Sequence, residues 1–129
     1  MTSKARWLSI RETVFKEQHK ACAVCKLPFT SHEDMHAHHA IYTRQKGLEK
    51  WLDTPENIVL LCQKCHADHG HLTAWFRRNM FWTAKINAGY DMLTWHENMP
   101  MLIKDHFIYV YDPFTKGTPE EMERRARYE

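Results

Sequence analysis

Residues 55–69, PENIVLLCQKCHADH, change character twice within a short span. Pro55 and Asn57 punctuate the chain, and Ile58, Val59, Leu60 and Leu61 then form an unbroken apolar run of strand length that reads as a buried β-strand. The run ends on Cys62, which with Cys65 makes a Cys-x-x-Cys knuckle. A helix is expected to open at about Gln63 and to carry His66 directly after the second cysteine.

A second knuckle, Cys22 with Cys25, lies upstream, separated from the first by the 36 residues 26–61. These are all four cysteines of the chain. A four-thiolate zinc site needs every sulfur within about 2.3 Å of one ion, and each knuckle supplies two from one turn. Paired spacing of this kind favours a structural Zn2+ over two disulfides or buried thiols. The intervening chain must therefore loop out and return. Within it, Met35 to Tyr42 (MHAHHAIY) reads as a second short strand, and the segment from Thr43 to Lys50, with Arg44, Lys46 and Lys50 around Gly47, reads as a basic exposed loop.

Outside the knuckles the pattern is helical. Trp7, Leu8, Ile10, Val14 and Phe15 recur at helical spacing over Ser3 to Gln18, and Ser9 with Glu12 forms a capping box if that helix starts late. Gly70 is expected to interrupt the helix after Cys65, with a second helix running from about His71 to Ala88 and stopping at Gly89. Arg77, Arg78 and Lys85 give that second helix a basic balance, while Trp75, Phe76, Phe81 and Trp82 at helical spacing read as core. Beyond Tyr90 lie an apolar run at Phe107 to Tyr111 and a charged end from Glu120 to Glu129, expected to form a short helix or fray.

With 129 residues, 43% apolar and 26% charged, the chain suits one folded domain and excludes a disordered or low-complexity protein. We divide it into residues 1–89, a domain with its N-terminal helix and the basic helix, and 90–129, an extension packed on the same domain. No apolar run reaches the roughly 18 residues of a membrane span, and Met1 to Arg6 lacks a signal-peptide core, so the expected location is cytoplasmic, with no membrane partner. Eighteen Lys and Arg against 16 Asp and Glu leave +2, too mild a balance to identify a nucleic-acid partner by itself.

The stretches CAVC, AHHAI, PENIVLLC and QKCHADH, taken in order, resemble the HNH endonuclease family, in the subgroup with a four-cysteine zinc site. The resemblance covers about Ala21 to His69 and implies an α+β fold: a ββα-metal finger stabilised by a two-knuckle four-cysteine zinc site and flanked by helices. It also implies DNA as the partner and a catalytic Mg2+ or Mn2+, other divalent ions being compatible, beside the structural zinc. By motif position His39 corresponds to the general base, His38 and His66 to ligands of the catalytic ion, and Asn57 to the residue that orients the base. The residues themselves leave two registers open. In a regular strand His38 and His39 point to opposite faces and cannot both line one site, so the strand must end, bend or bulge there; a regular strand instead puts His36 and His38 on one face, which keeps His36 a lesser candidate ligand. His69, three residues beyond His66, shares its face on a continuous helix. For DNA contact the candidates are Arg77 and Arg78, then Arg44 and Lys46. The alternative from another class is a zinc-knuckle nucleic-acid-binding protein without cleavage activity; a weaker one is a zinc-stabilised protein adaptor.

Overall fold

The computed structural model describes residues 2–41 and 47–100, with the Arg77 side chain excepted. The apolar run forms a β-strand, Ile58–Leu61 (β2), paired antiparallel with His36–His39 (β1) in the register His36 to Leu61, Ala37 to Leu60, His38 to Val59 and His39 to Ile58. A helix at Gln63–Ala67 (α3) follows at once, so the centre of the chain is a hairpin and helix, and the fold is α+β. The first strand stops at His39, short of the expected Tyr42, which lies outside the described residues.

Every residue of β2 is buried because the hairpin is covered on both faces. The N-terminal helix, Lys4–Glu17 (α1), lays Ile10 and Val14 on Ile58 and Leu60. Val59 and Leu61 face the other way, into Leu72, Trp75, Phe76, Phe81 and Trp82. These come from two helices, His69–Arg77 (α4) and Met80–Asn87 (α5), and not from one. The break is at Asn79, in the left-handed region at φ 62°, a conformation asparagine tolerates better than most residues. An earlier break also moves: it falls at Asp68, whose carboxylate accepts the His71 N–H at 3.1 Å, while Gly70 sits in the first turn of α4. An aspartate N-cap satisfies an otherwise orphaned N–H, and a glycine in that turn loses little.

Helix α1 starts earlier than a Ser9 cap allows, since Ser3 accepts the Arg6 N–H at 3.1 Å. Its C-terminal end is pinned to the sheet by Gln18. That amide donates to Leu60 O and accepts from Leu60 N, both at 2.9 Å, in the manner of a neighbouring strand. Lys85, counted in the basic balance of the second helix, is 2% exposed. Its ammonium donates to Ile58 O at 2.6 Å and Pro55 O at 2.7 Å and pairs with Glu17 at 3.2 Å. Burial pushes the lysine pKa down and the Glu17 pKa up, and each partner's charge opposes the other's shift. Lys85 therefore ties α5 to α1 and β2, and is no part of the basic surface.

A short helix at Glu49–Leu52 (α2) bridges the two strands, and Met92–Glu97 (α6) closes the described chain. Met99 and Trp95 pack with Ile41 and Leu52, so residues 90–100 rest on the same core as the hairpin. The apolar run at Phe107 to Tyr111 and the charged C-terminal end lie outside the described residues. Among the described residues no helix is long and apolar enough to cross a membrane.

Candidate active site

The two knuckles meet. Cys22, Cys25, Cys62 and Cys65 are free thiols whose sulfurs all lie within 4.8 Å of one another, and Cys25 Sγ stands 3.8 Å from Cys62 Sγ. A tetrahedral centre with zinc–sulfur bonds of about 2.3 Å has sulfurs about 3.8 Å apart, so the donors fit Zn2+. The turns are held locally, by Lys26 N donating to Cys22 O at 3.0 Å and Cys65 N to Cys62 Sγ at 3.5 Å. Burial pushes the Cys65 and Cys25 thiols up. It also opposes ionisation of Cys22, where backbone N–H groups of Cys25, Cys62 and Val24 outweigh it and bring that thiol down. Four thiolates so close together need a shared cation.

The histidines divide between the two faces of β1. His36 and His38 share one face and meet His66 of α3: the His36 and His66 rings stack with centroids 5.0 Å apart and planes 8° from parallel, and His38 meets His66 edge-on at 6.0 Å. The Nε2 atom of His36 is buried without a hydrogen-bond partner. Burial, then the neighbouring His66, His39 and His69, lower the His38 pKa from 6.5 to about 4. Burial, then His36 and His69, lower that of His66. Neutral imidazole is the ligand form, while the stacked, nearly parallel planes of His36 and His66 aim their in-plane lone pairs along separate planes. Among the described residues, only the four cysteines bring three or more possible ligand atoms within 4.8 Å of one another, so the histidines form a cluster of rings and not a closed ligand set. His69 lies close enough to act on both neighbours, but it opens α4 after the break at Asp68 and does not extend the face of α3.

His39, the last residue of β1, points to the α1 side. Its ring stacks on Trp7 with centroids 6.0 Å apart, and its Nε2 lies 2.8 Å from Asp53 Oδ1. Residues 22–72 match the HNH endonuclease family model. No curated protein and no solved structure matches the chain. The HNH segment therefore spans both knuckles, the hairpin, α3 and the start of α4, while α1 lies wholly before it.

Within the HNH segment Asn57 is 0% exposed and directs its amide to backbone: Oδ1 accepts Ile41 N–H at 2.9 Å, and Nδ2 donates to Ile41 O at 3.0 Å and Leu52 O at 2.8 Å. It braces the chain that leaves β1 and the helix that precedes Asp53. Sequence reasoning missed Asp53 and Trp7. No motif marks an acid 14 residues after a histidine, and Trp7 read as an ordinary apolar residue of its helix. Of the residues expected at DNA, Arg78 is exposed at the end of α4, and Arg44 and Lys46 lie outside the described residues.

Proposed function

We propose that this chain is a metal-dependent endonuclease that hydrolyses phosphodiester bonds in DNA. The observation that carries the reading is the cluster of His36, His38 and His66 beside the hairpin, with His39 as the last residue of the same strand, where it ends. His38 and His66 hold the catalytic ion, with the His36 ring stacked on His66. The four cysteines hold a structural zinc.

When bound, the divalent cation offsets charge gathering on the phosphate. His39 in its neutral form accepts a proton from the attacking water as the oxygen–phosphorus bond forms, and the 3′ oxygen leaves and takes a proton from solvent. Asn57 sets the path of the backbone around the base. The imidazole donors favour Mn2+ and later first-row ions over Mg2+, which prefers oxygen ligands. Arg77 and Arg78, then Arg44 and Lys46, supply phosphate contacts, which position DNA without reading its sequence.

The test is supercoiled plasmid incubated with zinc-loaded protein freed of other divalent ions, each cation then being restored singly. His39→Ala lowers the rate by at least ~100-fold while zinc content and folding persist. His66→Ala also stops cleavage, and raised metal concentration partly restores it. If His39→Ala cuts like the parent while His36→Ala is dead, the site register is wrong. A parent that binds DNA and never cuts leaves the zinc-knuckle binder in place of the enzyme.

A further inference from the structure

We infer that Asp53 is a positioning residue that fixes the tautomer and orientation of His39, and that α1, outside the HNH segment, completes the clamp around that imidazole. The inference rests on the reading of His39 as general base. Asp53 Oδ1 lies 2.8 Å from His39 Nε2, with the two side chains only 16% and 22% exposed. A carboxylate accepts hydrogen bonds and donates none, so the proton of a neutral His39 sits on Nε2 and the basic lone pair on Nδ1.

The carboxylate is itself held in place. Thr2 Oγ1 donates to Asp53 Oδ2, Arg6 donates to Asp53 O at 3.0 Å, and Asp53 N donates to Glu49 O at 2.9 Å at the end of α2. Trp7 lies against the face of the ring, its plane 18° from that of His39. The imidazole is therefore bounded by a carboxylate at one edge and an indole on one face. An orientation set before substrate arrives need not be reached during the reaction, and the adjacent carboxylate stabilises the imidazolium formed when the water proton is taken. Thr2, Arg6 and Trp7 all precede residue 22, so the HNH segment alone lacks half of this enclosure.

The experiment uses full-length, zinc-loaded protein with 15N-labelled histidine, the His39 resonances being assigned by their loss in His39→Ala. Long-range 1H–15N correlations report which ring nitrogen carries the proton. In the parent the Nε2–H form is expected. Asp53→Asn, whose amide can also donate, shifts His39 toward the Nδ1–H form. The same variant lowers kcat by roughly 100- to 10,000-fold with KM changed less than about twofold. Asp53→Glu, which still only accepts, recovers part of the loss and keeps the parental tautomer. A parental His39 in the Nδ1–H form overturns the inference without any variant having to fold. So does an Asp53→Asn protein that cuts at the parental kcat. If His39→Ala itself cuts normally, the reading of His39 as base fails and this role falls with it, even where the tautomer is as expected.

Discussion

Replacing Asn57 by alanine removes the side chain that holds the chain leaving β1 against α2. Three buried backbone groups lose their partner: the N–H of Ile41 and the carbonyls of Ile41 and Leu52. A buried polar group left unpaired costs about 1–3 kcal/mol, and water entering the small gap recovers part of that, so the loss should be roughly 3–5 kcal/mol. Set against a total stability of about 5–15 kcal/mol, this is a large fraction. The corresponding fall in Tm is roughly 10–15 °C for a chain of this size. Urea unfolding of zinc-loaded parent and variant gives the difference directly, as a lower midpoint at unchanged slope. Asn57→Asp keeps an acceptor for Ile41 N–H but loses both donors and buries a charge, so it should do no better than alanine. A loss below 1 kcal/mol together with a severe drop in cleavage would refute the reasoning, because Asn57 would then act on the chemistry and not through the backbone it braces.

The remaining expectations concern metal, protons and DNA. Cys62→Ser should lose the bound zinc by elemental analysis and its cooperative thermal transition, since zinc binding at such a site is folding energy; an intact transition would show that the knuckles fold without the ion. With only the structural zinc bound, His38 should make stability fall as pH drops from its unfolded value of 6.5 to about 4 in the native state. Over that window the unfolded chain takes up the proton first, so the loss grows to at most about 3 kcal/mol. His38→Gln should flatten that part of the pH curve, and unchanged curves would remove His38 from the account. DNA affinity should fall steeply with salt, and Arg77→Ala with Arg78→Ala should each reduce the slope by about 1. Unchanged slopes would move the contact to Arg44 and Lys46.

Local spacing determined much of this protein before any tertiary contact was considered. Ile58–Leu61, an apolar run of strand length, reads as a buried strand, the Cys-x-x-Cys pairs could only bring four sulfurs to one place if the chain between them returned, and His66 followed the second knuckle onto a helix. Such features are written in residues a few positions apart, where periodicity and turn chemistry act. Tertiary structure decided the rest. It divided β2 between two layers, laying α1 on Ile58 and Leu60 and α4 and α5 on Val59 and Leu61. That division settled the histidine register, sending His36 and His38 to His66 and His39 to Trp7. It turned Lys85 from one charge in the basic balance of a helix into a buried tie to Glu17, 68 residues away, and brought Asp53 to His39 across 14. Helical spacing shows that a residue is amphipathic or charged, but not which distant group its layer will meet; that depends on how whole elements pack, and here packing places part of the candidate site on α1, where no nuclease motif was visible.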